Sequence, residues 1–313
     1  MGRKEAVLAR LRQTGDGTVS GQELARELGI TRTAVWKIVR GLQREGYRIA
    51  AVPNRGYRLE GDLDRLSAEM LQAALPELVV SVLQTVDSTN TEAKRRIVAG
   101  ENRPMLIAAE AQTGGRGRQG KSFYSPEGTG IYMTLVVHPN VPVTDAVSVT
   151  TRASVAVCRA IRNLTAAKPE IKWVNDLYLA DKKICGILVE AVSDFETGIT
   201  KSLVIGVGVN IRTVEFPAEL AAASLHPDGV SRNDLIAEIV RQLLRETADL
   251  RDRSYLEDYR RWSLVIGKPI HYWKNDDRRE AVAIGIDDNG GLVIEENGQR
   301  TTLQSGEISV RLR

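Results

Sequence analysis

The most informative stretch of this chain is GGRGRQGK at residues 114–121, where four glycines are interspersed with basic side chains. Glycine costs backbone entropy on ordering but allows dihedral angles and close approaches that other residues do not. Arginine adds planar, always-charged donors suited to phosphate or carboxylate. Such a stretch is either a disordered basic linker or an anion-holding loop. The apolar segments at residues 105–109 and 130–137 predict buried strands on both sides, which favours a ligand site.

Composition places this site in a globular, multidomain protein. The chain has 313 residues, of which 42% are hydrophobic and 27% charged. It lacks the apolar run of about 18 residues that a membrane span needs, and its N-terminus does not resemble a signal peptide. Two cysteines, Cys158 and Cys185, are too few for a disulfide framework, which predicts a protein of the reducing cytoplasm. The three histidines are scattered and lack metal-ligand spacing, so no zinc site is expected.

Charge divides the chain into two parts. Residues 1–60 hold 12 Lys and Arg against six Asp and Glu, whereas the remainder carries a net charge of −3. A basic segment joined to a mildly acidic remainder indicates an anionic partner for that segment alone.

The basic segment has the pattern of a winged helix-turn-helix. Ser20 and Glu23 form a capping-box pattern, Gly29 ends that short helix, and Thr31 caps a third helix. A hairpin with its turn at residues 53–55 follows. In this motif the third helix enters the major groove of DNA. The alternative for the whole segment is a docking domain whose basic face is simply solvated. The alternative for Trp36 is packing beside the core instead of contact with DNA. The predicted DNA contacts are Arg32, Thr33, Trp36, Lys37, Arg40 and Arg55.

Polar residues recur at strand ends in the central region. Residues 87–90 (DSTN) follow a strand and can cap the next helix or bind a polar ligand at its N-terminus. A strand over residues 171–179 breaks at Asn175 and Asp176, and its hairpin partner begins near Lys183. The last strand contains Gly206 and Gly208, which suits close approach of a ligand ring but is not a dinucleotide fingerprint.

These segments together resemble the biotin-protein ligases, and with the winged helix the whole chain resembles the bifunctional ligases that also repress biotin operons. The resemblance implies an α+β multidomain fold: a winged helix-turn-helix over 1–62, an α/β ligase domain with a mixed sheet over 67–265, and a small SH3-like barrel over 267–313. The motifs that carry it are DSTN at 87–90, QTGGRGRQG at 112–120, KWVND at 172–176, KICGILVE at 183–190 and GVGVN at 206–210.

The resemblance also implies roles for individual residues. Lys183, Arg118 and Asp176 would be catalytic, with Asp176 orienting or deprotonating the acceptor amine; its other interpretation is a turn carboxylate that caps local amides. Biotin would contact Ser88, Thr89, Asn90, Gln112, Gly115, Arg116, Gly117, Arg118, Lys183 and Gly186. ATP or the adenylate would contact Arg116, Arg118, Lys121, Asn175, Gly206, Gly208 and Asn210.

The implied reaction uses biotin, ATP and Mg²⁺ and modifies a biotin carboxyl carrier protein. Operator DNA and, with adenylate bound, a second copy of the chain are the other implied partners, in a cytoplasmic protein with no membrane partner. Open alternatives are a lipoate-type ligase, a biotin-sensing regulator without ligase activity, and a ligase whose winged helix no longer binds DNA. The chain departs from the usual family pattern at Val174, Gln119, Ser122 and Phe123.

Overall fold

A computed structural model describes residues 2–15, 17–44, 47–53, 55–61, 64–194, 196–227, 229–274, 277–304 and 309–312. The chain divides into two compact units, Met1–Arg65 and Leu66–Arg313. Residues 62 and 313, the predicted ends of the first and last domains, lie outside the described residues. Over the described ranges, no helix is both long enough and apolar enough to cross a membrane.

The N-terminal unit has the element order of a winged helix. Ser20 Oγ accepts a hydrogen bond from Glu23 N at 3.0 Å and Thr31 Oγ1 accepts one from Ala34 N at 3.1 Å, so both predicted N-caps are confirmed. Its core is a single apolar cluster that includes Val35 of the third helix. The elements are α1 (Arg3–Gln13), α2 (Gly21–Glu27), α3 (Arg32–Arg44) and the antiparallel strands β1 (Arg48–Val52) and β2 (Gly56–Gly61).

The second unit is built on one mixed sheet in the order β3-β4-β5-β10-β9-β8-β7, with β6 paired to β10. Its strands are β3 (Val79–Val86), β4 (Met105–Gln112), β5 (Gly130–Val137), β6 (Val141–Pro142), β7 (Glu170–Lys172), β8 (Asp176–Leu179), β9 (Lys182–Asp194) and β10 (Ile199–Asn210). Among the strand pairs of the described residues in this sheet, β3 and β4 are parallel and the others antiparallel. The helices are α4 (Ala68–Ala74), α5 (Thr89–Val98), α6 (Val143–Ala146), α7 (Val149–Leu164), α8 (Arg232–Ala248) and α9 (Tyr255–Arg261).

Alternation along the central strands gives the sheet two buried faces. Met105 and Ile107 of β4 pack with Ala93 of α5, whereas Leu106 and Ala108 join the larger core that contains α7 and α8. A strand buried on both faces reads as a continuous apolar run, and this is why residues 105–109 and 130–137 carry so strong a signal in the sequence.

The C-terminal part is a small antiparallel sheet in the order β14-β13-β12-β11-β15. Its strands are β11 (Pro269–Lys274), β12 (Asp277–Ile286), β13 (Leu292–Glu296), β14 (Gln299–Leu303) and β15 (Ser309–Leu312). Trp173 Nε1 donates to Gly290 O at 3.0 Å, so this sheet is tied to the ligase sheet within the second unit. The exact domain boundaries remain a prediction.

Two features of the second unit bear on function. The first is a buried ion pair at the start of this unit: Leu66 N donates to Glu110 Oε1, and Glu110 Oε2 lies 2.8 Å from Arg232 Nη2.

The second is an open strand edge, because β8 pairs with β9 only as far as Gly186. Among the described residues, no strand pairs with that side of β9 over residues 188–194, so the sheet has an open edge there.

Candidate active site

The glycine-rich stretch forms a closed hairpin at the end of β4. Gly114 N donates to Asp87 O at 2.8 Å, which ties the hairpin to the end of β3. Phe123 N donates to Gly115 O at 2.9 Å, which closes the base. At the tip, Gln119 and Gly120 have φ of 56° and 71°. The stretch is therefore packed onto two strands and is not a tether.

The base of the hairpin requires glycine. A Cβ on Gly115 would lie 2.5 Å from Phe123 O and 2.7 Å from Ser125 Oγ. Gln112 is bonded to the same Ser125 hydroxyl through its Nε2 at 2.9 Å. The hairpin base and the Gln112 amide are therefore fixed against one another.

The residues predicted to hold the biotin head lie together at the N-terminus of α5. Ser88, Thr89 and Asn90 are 3%, 4% and 5% exposed. Ser88 occupies the N-cap position, but its side chain makes no capping hydrogen bond, in contrast to the capping role considered from the sequence. Gln112 Oε1 accepts from Thr89 N at 2.9 Å and lies 3.2 Å from Thr89 Oγ1. The Thr89 hydroxyl, which donates to Gln112 Oε1, therefore faces the end of β4.

Thr134 of β5 belongs to this cluster and was missed by sequence reasoning. It is fully buried, and its Oγ1 lies 2.7 Å from Asn90 Oδ1 and 2.8 Å from Thr89 Oγ1. Gly206 is its partner across the sheet, and a Cβ there would lie 2.2 Å from Asn90 Oδ1. Gly206 thus makes room for the Asn90 side chain; its predicted adenylate contact stays a prediction.

The predicted catalytic residues converge on the hairpin of β8 and β9. Lys183 Nζ lies 2.8 Å from Asp176 Oδ1 as an ion pair. Asn175 Nδ2 donates to Ile187 O at 2.7 Å, and Asn175 Oδ1 accepts from Arg118 Nη1 at 3.4 Å. The glycine hairpin is therefore connected through Arg118 to the strand break that carries Asn175 and Asp176.

Arg118 is half-buried, and this burial lowers the pKa of its guanidinium, an effect that the negative charge of Asp176 opposes. Because arginine starts from a pKa above 12, it stays charged at neutral pH. A cation that is partly removed from water interacts more strongly with a bound anion than one on an open surface.

Two further glycines make room for an aromatic ring. A Cβ on Gly208 would lie 2.6 Å from Phe123 Cε1, and one on Gly186 would lie 3.3 Å from Phe123 Cε2. Phe123 also contacts Tyr132 edge-on, with ring centroids 6.4 Å apart. In this structure a protein ring lies where the sequence predicted a ligand ring.

The segment after β10 closes the other side of Lys183. Lys183 N donates to Ala221 O at 3.1 Å and Lys183 O accepts from Ala223 N at 2.9 Å. Asn210, 4% exposed, donates to Ala223 O at 3.1 Å and so holds this segment. Residues 221–223 were not predicted as part of the site, because three consecutive alanines fit any secondary structure.

Three family models match the chain: an HTH domain over residues 3–58, the biotin/lipoate A/B protein ligase family over 82–210, and the biotin protein ligase C terminal domain over 265–311. The bifunctional ligase/repressor BirA of Bacillus subtilis is 31% identical over 319 residues, covering 95% of each chain. BirA of Escherichia coli is 32% identical and covers 93% of this chain and 92% of its own. This chain belongs to the bifunctional ligase/repressor family.

The fold of the second unit agrees with this membership. Biotin protein ligase from Aquifex aeolicus in complex with biotin and ATP superposes with a TM-score of 0.63 at 23% identity, covering 75% of this chain and 99% of that chain. The winged helix-turn-helix, the mixed-sheet ligase domain and the small antiparallel C-terminal sheet expected from the sequence are thereby confirmed.

Departures from the family pattern have definite places. Val174 follows a cis peptide bond, is buried, and its carbonyl accepts from Ser154 Oγ at 3.2 Å and Tyr259 OH at 3.1 Å. Gln119 is exposed at the hairpin tip, and Ser122 pairs with Arg116 across the hairpin.

The family's DNA-binding unit presents its predicted contacts to solvent. Trp36 is 50% exposed, with the Arg40 guanidinium carbon 5.7 Å from its ring centroid, so Trp36 is not a core residue. The opposite side of α3 buries Val35 and Val39. The exposed set comprises Arg32, Thr33, Trp36, Lys37, Arg40 and Arg55; their contact with DNA stays a prediction.

Both cysteines lie in the apolar core of the second unit. Cys158 and Cys185 are buried and unpaired, and burial raises the pKa of both thiols, that of Cys158 to about 11. Cys185 is a small side chain in the apolar core. Over the part of the chain that the structure describes, no three His, Cys, Asp or Glu residues form a metal-binding group.

Proposed function

We propose that this chain activates biotin with ATP to biotinyl-5'-AMP and transfers the biotinyl group to a lysine of a biotin carboxyl carrier protein. Through its N-terminal unit it binds operator DNA of biotin genes and represses them. The observation that carries the proposal is the identity of about a third with bifunctional ligase/repressors over nearly the whole chain.

In the first step a biotin carboxylate oxygen attacks the α-phosphorus of ATP, and the bond to pyrophosphate breaks. Two anions meet, so fixed positive charge lowers the barrier. We assign this charge to Arg116, Arg118 and Lys183. The roles of Arg118 and Lys183 are supported by their contacts with neighbouring residues, since Arg118 donates to Asn175 and Lys183 forms an ion pair with Asp176.

In the second step the acceptor lysine amine attacks the carbonyl carbon of the mixed anhydride. An amide bond forms, the bond to the AMP oxygen breaks, and the amine loses a proton. The carboxylate beside Lys183 is Asp176. We propose that Asp176 orients the acceptor amine and removes its proton.

The residues that would contact biotin are Ser88, Thr89, Asn90, Gln112, Gly115, Arg116, Gly117, Arg118, Lys183 and Gly186. Three of them, Thr89, Asn90 and Gln112, belong to one hydrogen-bonded cluster that includes Thr134. For the adenylate the proposed contacts are Arg116, Arg118, Lys121, Asn175, Gly206, Gly208 and Asn210. For Gly208 the proposal requires the Phe123 ring to leave its present position.

Mg²⁺ is proposed to enter with ATP, bound to its phosphates. Mg²⁺ dehydrates reluctantly and commonly keeps several waters while it is held by substrate phosphates. A site built from protein ligands alone is not supported, since the described residues contain no acidic cluster.

The open edge of β9 is the proposed surface for protein partners. An unpaired strand edge can accept a strand from another chain. We propose that a second copy of the chain adds there when the adenylate is bound, and that the protein is cytoplasmic, as its two free cysteines suggest.

The test is incubation with biotin, ATP·Mg²⁺ and a carrier domain, with AMP release and carrier labelling as readouts, followed by an operator-binding assay at fixed salt. Release of AMP with a labelled carrier supports the ligase. Absence of both would overturn it. Lipoate in place of biotin is the control for the alternative substrate.

A further inference from the structure

A buried carbonyl at the strand break before β8 is held by side chains from two helices. Val174 O accepts from Tyr259 OH of α9 at 3.1 Å and from Ser154 Oγ of α7 at 3.2 Å. All three residues are at most 1% exposed. Water therefore does not replace these donors, and a buried carbonyl that loses its donors is costly to the folded state.

The next residue connects this carbonyl to the glycine hairpin. The carbonyl of Val174 and the nitrogen of Asn175 belong to one planar peptide unit, so fixing the first also fixes the direction of the second. Asn175 then lies against β9, where its carbonyl accepts from Ile187 N at 3.1 Å and its Nδ2 donates to Ile187 O at 2.7 Å. Its Oδ1 accepts from Arg118 Nη1. A line of contacts thus leads from the two helices to the guanidinium of Arg118.

The last contact in this line depends most on accurate placement. Arg118 Nη1 and Asn175 Oδ1 are 3.4 Å apart, which is longer than an ideal N–H···O hydrogen bond. A small displacement of Asn175 would therefore break the contact. Asn175 carries no charge, so what it supplies to the half-buried Arg118 guanidinium is a direction.

The Tyr259 hydroxyl is a permanent donor in this arrangement. Burial, together with the neighbouring Tyr255, raises the pKa of Tyr259 well above its ordinary value, an effect that the positive charge of Arg118 opposes. The phenol therefore keeps its proton in neutral solution, and the Val174 carbonyl can only accept it. The opposing effect of Arg118 also indicates that the phenol and the guanidinium lie within electrostatic range of each other.

We propose that Tyr259 and Ser154 are positioning residues for adenylate formation. They fix the Val174 carbonyl and thereby Asn175, and Asn175 directs Arg118 at the reacting phosphate. The inference rests on the proposed function, in which Arg118 supplies positive charge where the biotin carboxylate attacks the α-phosphorus. Because Tyr259 and Ser154 are buried, they act through the strand break and not by touching a substrate.

The first test is Tyr259→Phe in the full chain, which removes one hydroxyl and keeps the buried ring. We expect kcat for biotin-dependent exchange of labelled pyrophosphate into ATP to fall about tenfold, because a misplaced charged group loses part of its effect on the transition state. The dissociation constant for biotin, measured calorimetrically, should change less than about threefold, since the proposed contacts of its head lie on α5 and β4 and keep their hydrogen bonds. A loss of biotin binding as large as the loss of kcat would indicate general damage and contradict the inference.

Tyr255→Phe is the matched control. Tyr255 lies one turn earlier in α9 and is equally buried, but its hydroxyl lies 3.0 Å from Thr151 Oγ1 and not at the strand break. Both substitutions remove one buried hydroxyl, so their melting temperatures should fall by similar amounts, whereas Tyr255→Phe should keep kcat within about twofold of wild type. Equal kcat values for the two phenylalanine variants, whether both are slow or both are fast, would overturn the proposal.

Ser154→Ala tests the second donor with little risk to α7, because alanine favours helix. The Ser154 hydroxyl is shared between Val174 O and Thr150 O, so its loss alone should slow exchange only about threefold. Combined with Tyr259→Phe it removes both donors, and the double variant should be slower than either single one. A double variant no slower than Tyr259→Phe would contradict the role of Ser154.

An Asn175→Ala background tests the route through the strand break. There Tyr259→Phe should have almost no further effect on kcat, because both substitutions remove the same support from Arg118. An undiminished effect of Tyr259→Phe in that background would show another route and overturn the inference, while leaving the proposed function untouched. A wild-type chain without biotin-dependent pyrophosphate exchange would instead contradict the proposed function.

Discussion

Replacement of Asp176 by asparagine should separate the two steps of the reaction. Asp176 Oδ1 lies 2.8 Å from Lys183 Nζ, and the two side chains are 22% and 32% exposed. Asparagine keeps the shape and one oxygen but cannot take a proton from an attacking amine. We expect Asp176→Asn to slow biotinyl transfer strongly while leaving adenylate formation almost unchanged.

The magnitudes follow from the position of the carboxylate. Loss of a general base typically costs about 10²- to 10⁴-fold, so transfer should slow by about 10³-fold, equivalent to about 4 kcal/mol in the barrier. Adenylate formation should stay within about threefold, because a partly exposed ion pair contributes only about 1 kcal/mol or less. Removal of the negative charge also leaves Lys183 available to the phosphates.

The assays measure each step separately. Biotin-dependent exchange of labelled pyrophosphate into ATP reports the first step. Single-turnover AMP release from preformed enzyme-bound adenylate, mixed with carrier domain, reports the second. Asp181→Asn is the matched control, since Asp181 is exposed in the turn of the same hairpin with φ of 61°, which asparagine adopts readily. Equal slowing of both steps, or transfer within threefold of wild type, would refute the assigned role.

Three further outcomes are expected. Glu110→Gln should lower the free energy of unfolding by about 3 kcal/mol in urea titrations, because the buried Arg232 guanidinium loses its carboxylate; a loss below about 1 kcal/mol contradicts this. Lys37→Ala should weaken operator binding and reduce the slope of log affinity against log salt by about one, with ligation unchanged; an unchanged slope would exclude a phosphate contact. Since burial raises the pKa of both Cys158 and Cys185, that of Cys158 to about 11, iodoacetamide at pH 8 should leave ligation intact and label these thiols only in urea. Inactivation of the folded protein would contradict their burial.

Much of the fold follows from local chemistry that a sequence displays. Ser20 and Thr31 cap helices through bonds to residues three positions away, and β5 begins and ends where its apolar run does. The hairpin of β9 and β10 is longer than the apolar runs predict. Strand β9 continues to Asp194 and strand β10 already starts at Ile199. These extensions were not predicted, because two polar segments that pair with each other have no apolar pattern of their own.

The candidate site was predictable as a set of motifs but not as a set of contacts. Thr134 reads as a strand-forming β-branched residue, and nothing near it indicates that its hydroxyl meets Asn90, 44 positions earlier. Gly208 reads as room for a ligand, whereas Phe123, distant in sequence, lies against it. Contacts of this kind depend on the register between strands, which residue types alone do not determine.

The two ends of the glycine hairpin differ in how much change they can absorb, and this has a consequence for engineering. At the base, any side chain on Gly115 would collide with Phe123 O at 2.5 Å, whereas a Cβ on Gly120 at the tip meets nothing within 4 Å. Gln119, exposed with φ of 56°, has a backbone conformation that asparagine or glycine also adopts. A library should therefore keep Gly115 at the base and Gly120, whose φ of 71° disfavours other residues, and vary Gln119 among residues that tolerate a positive φ.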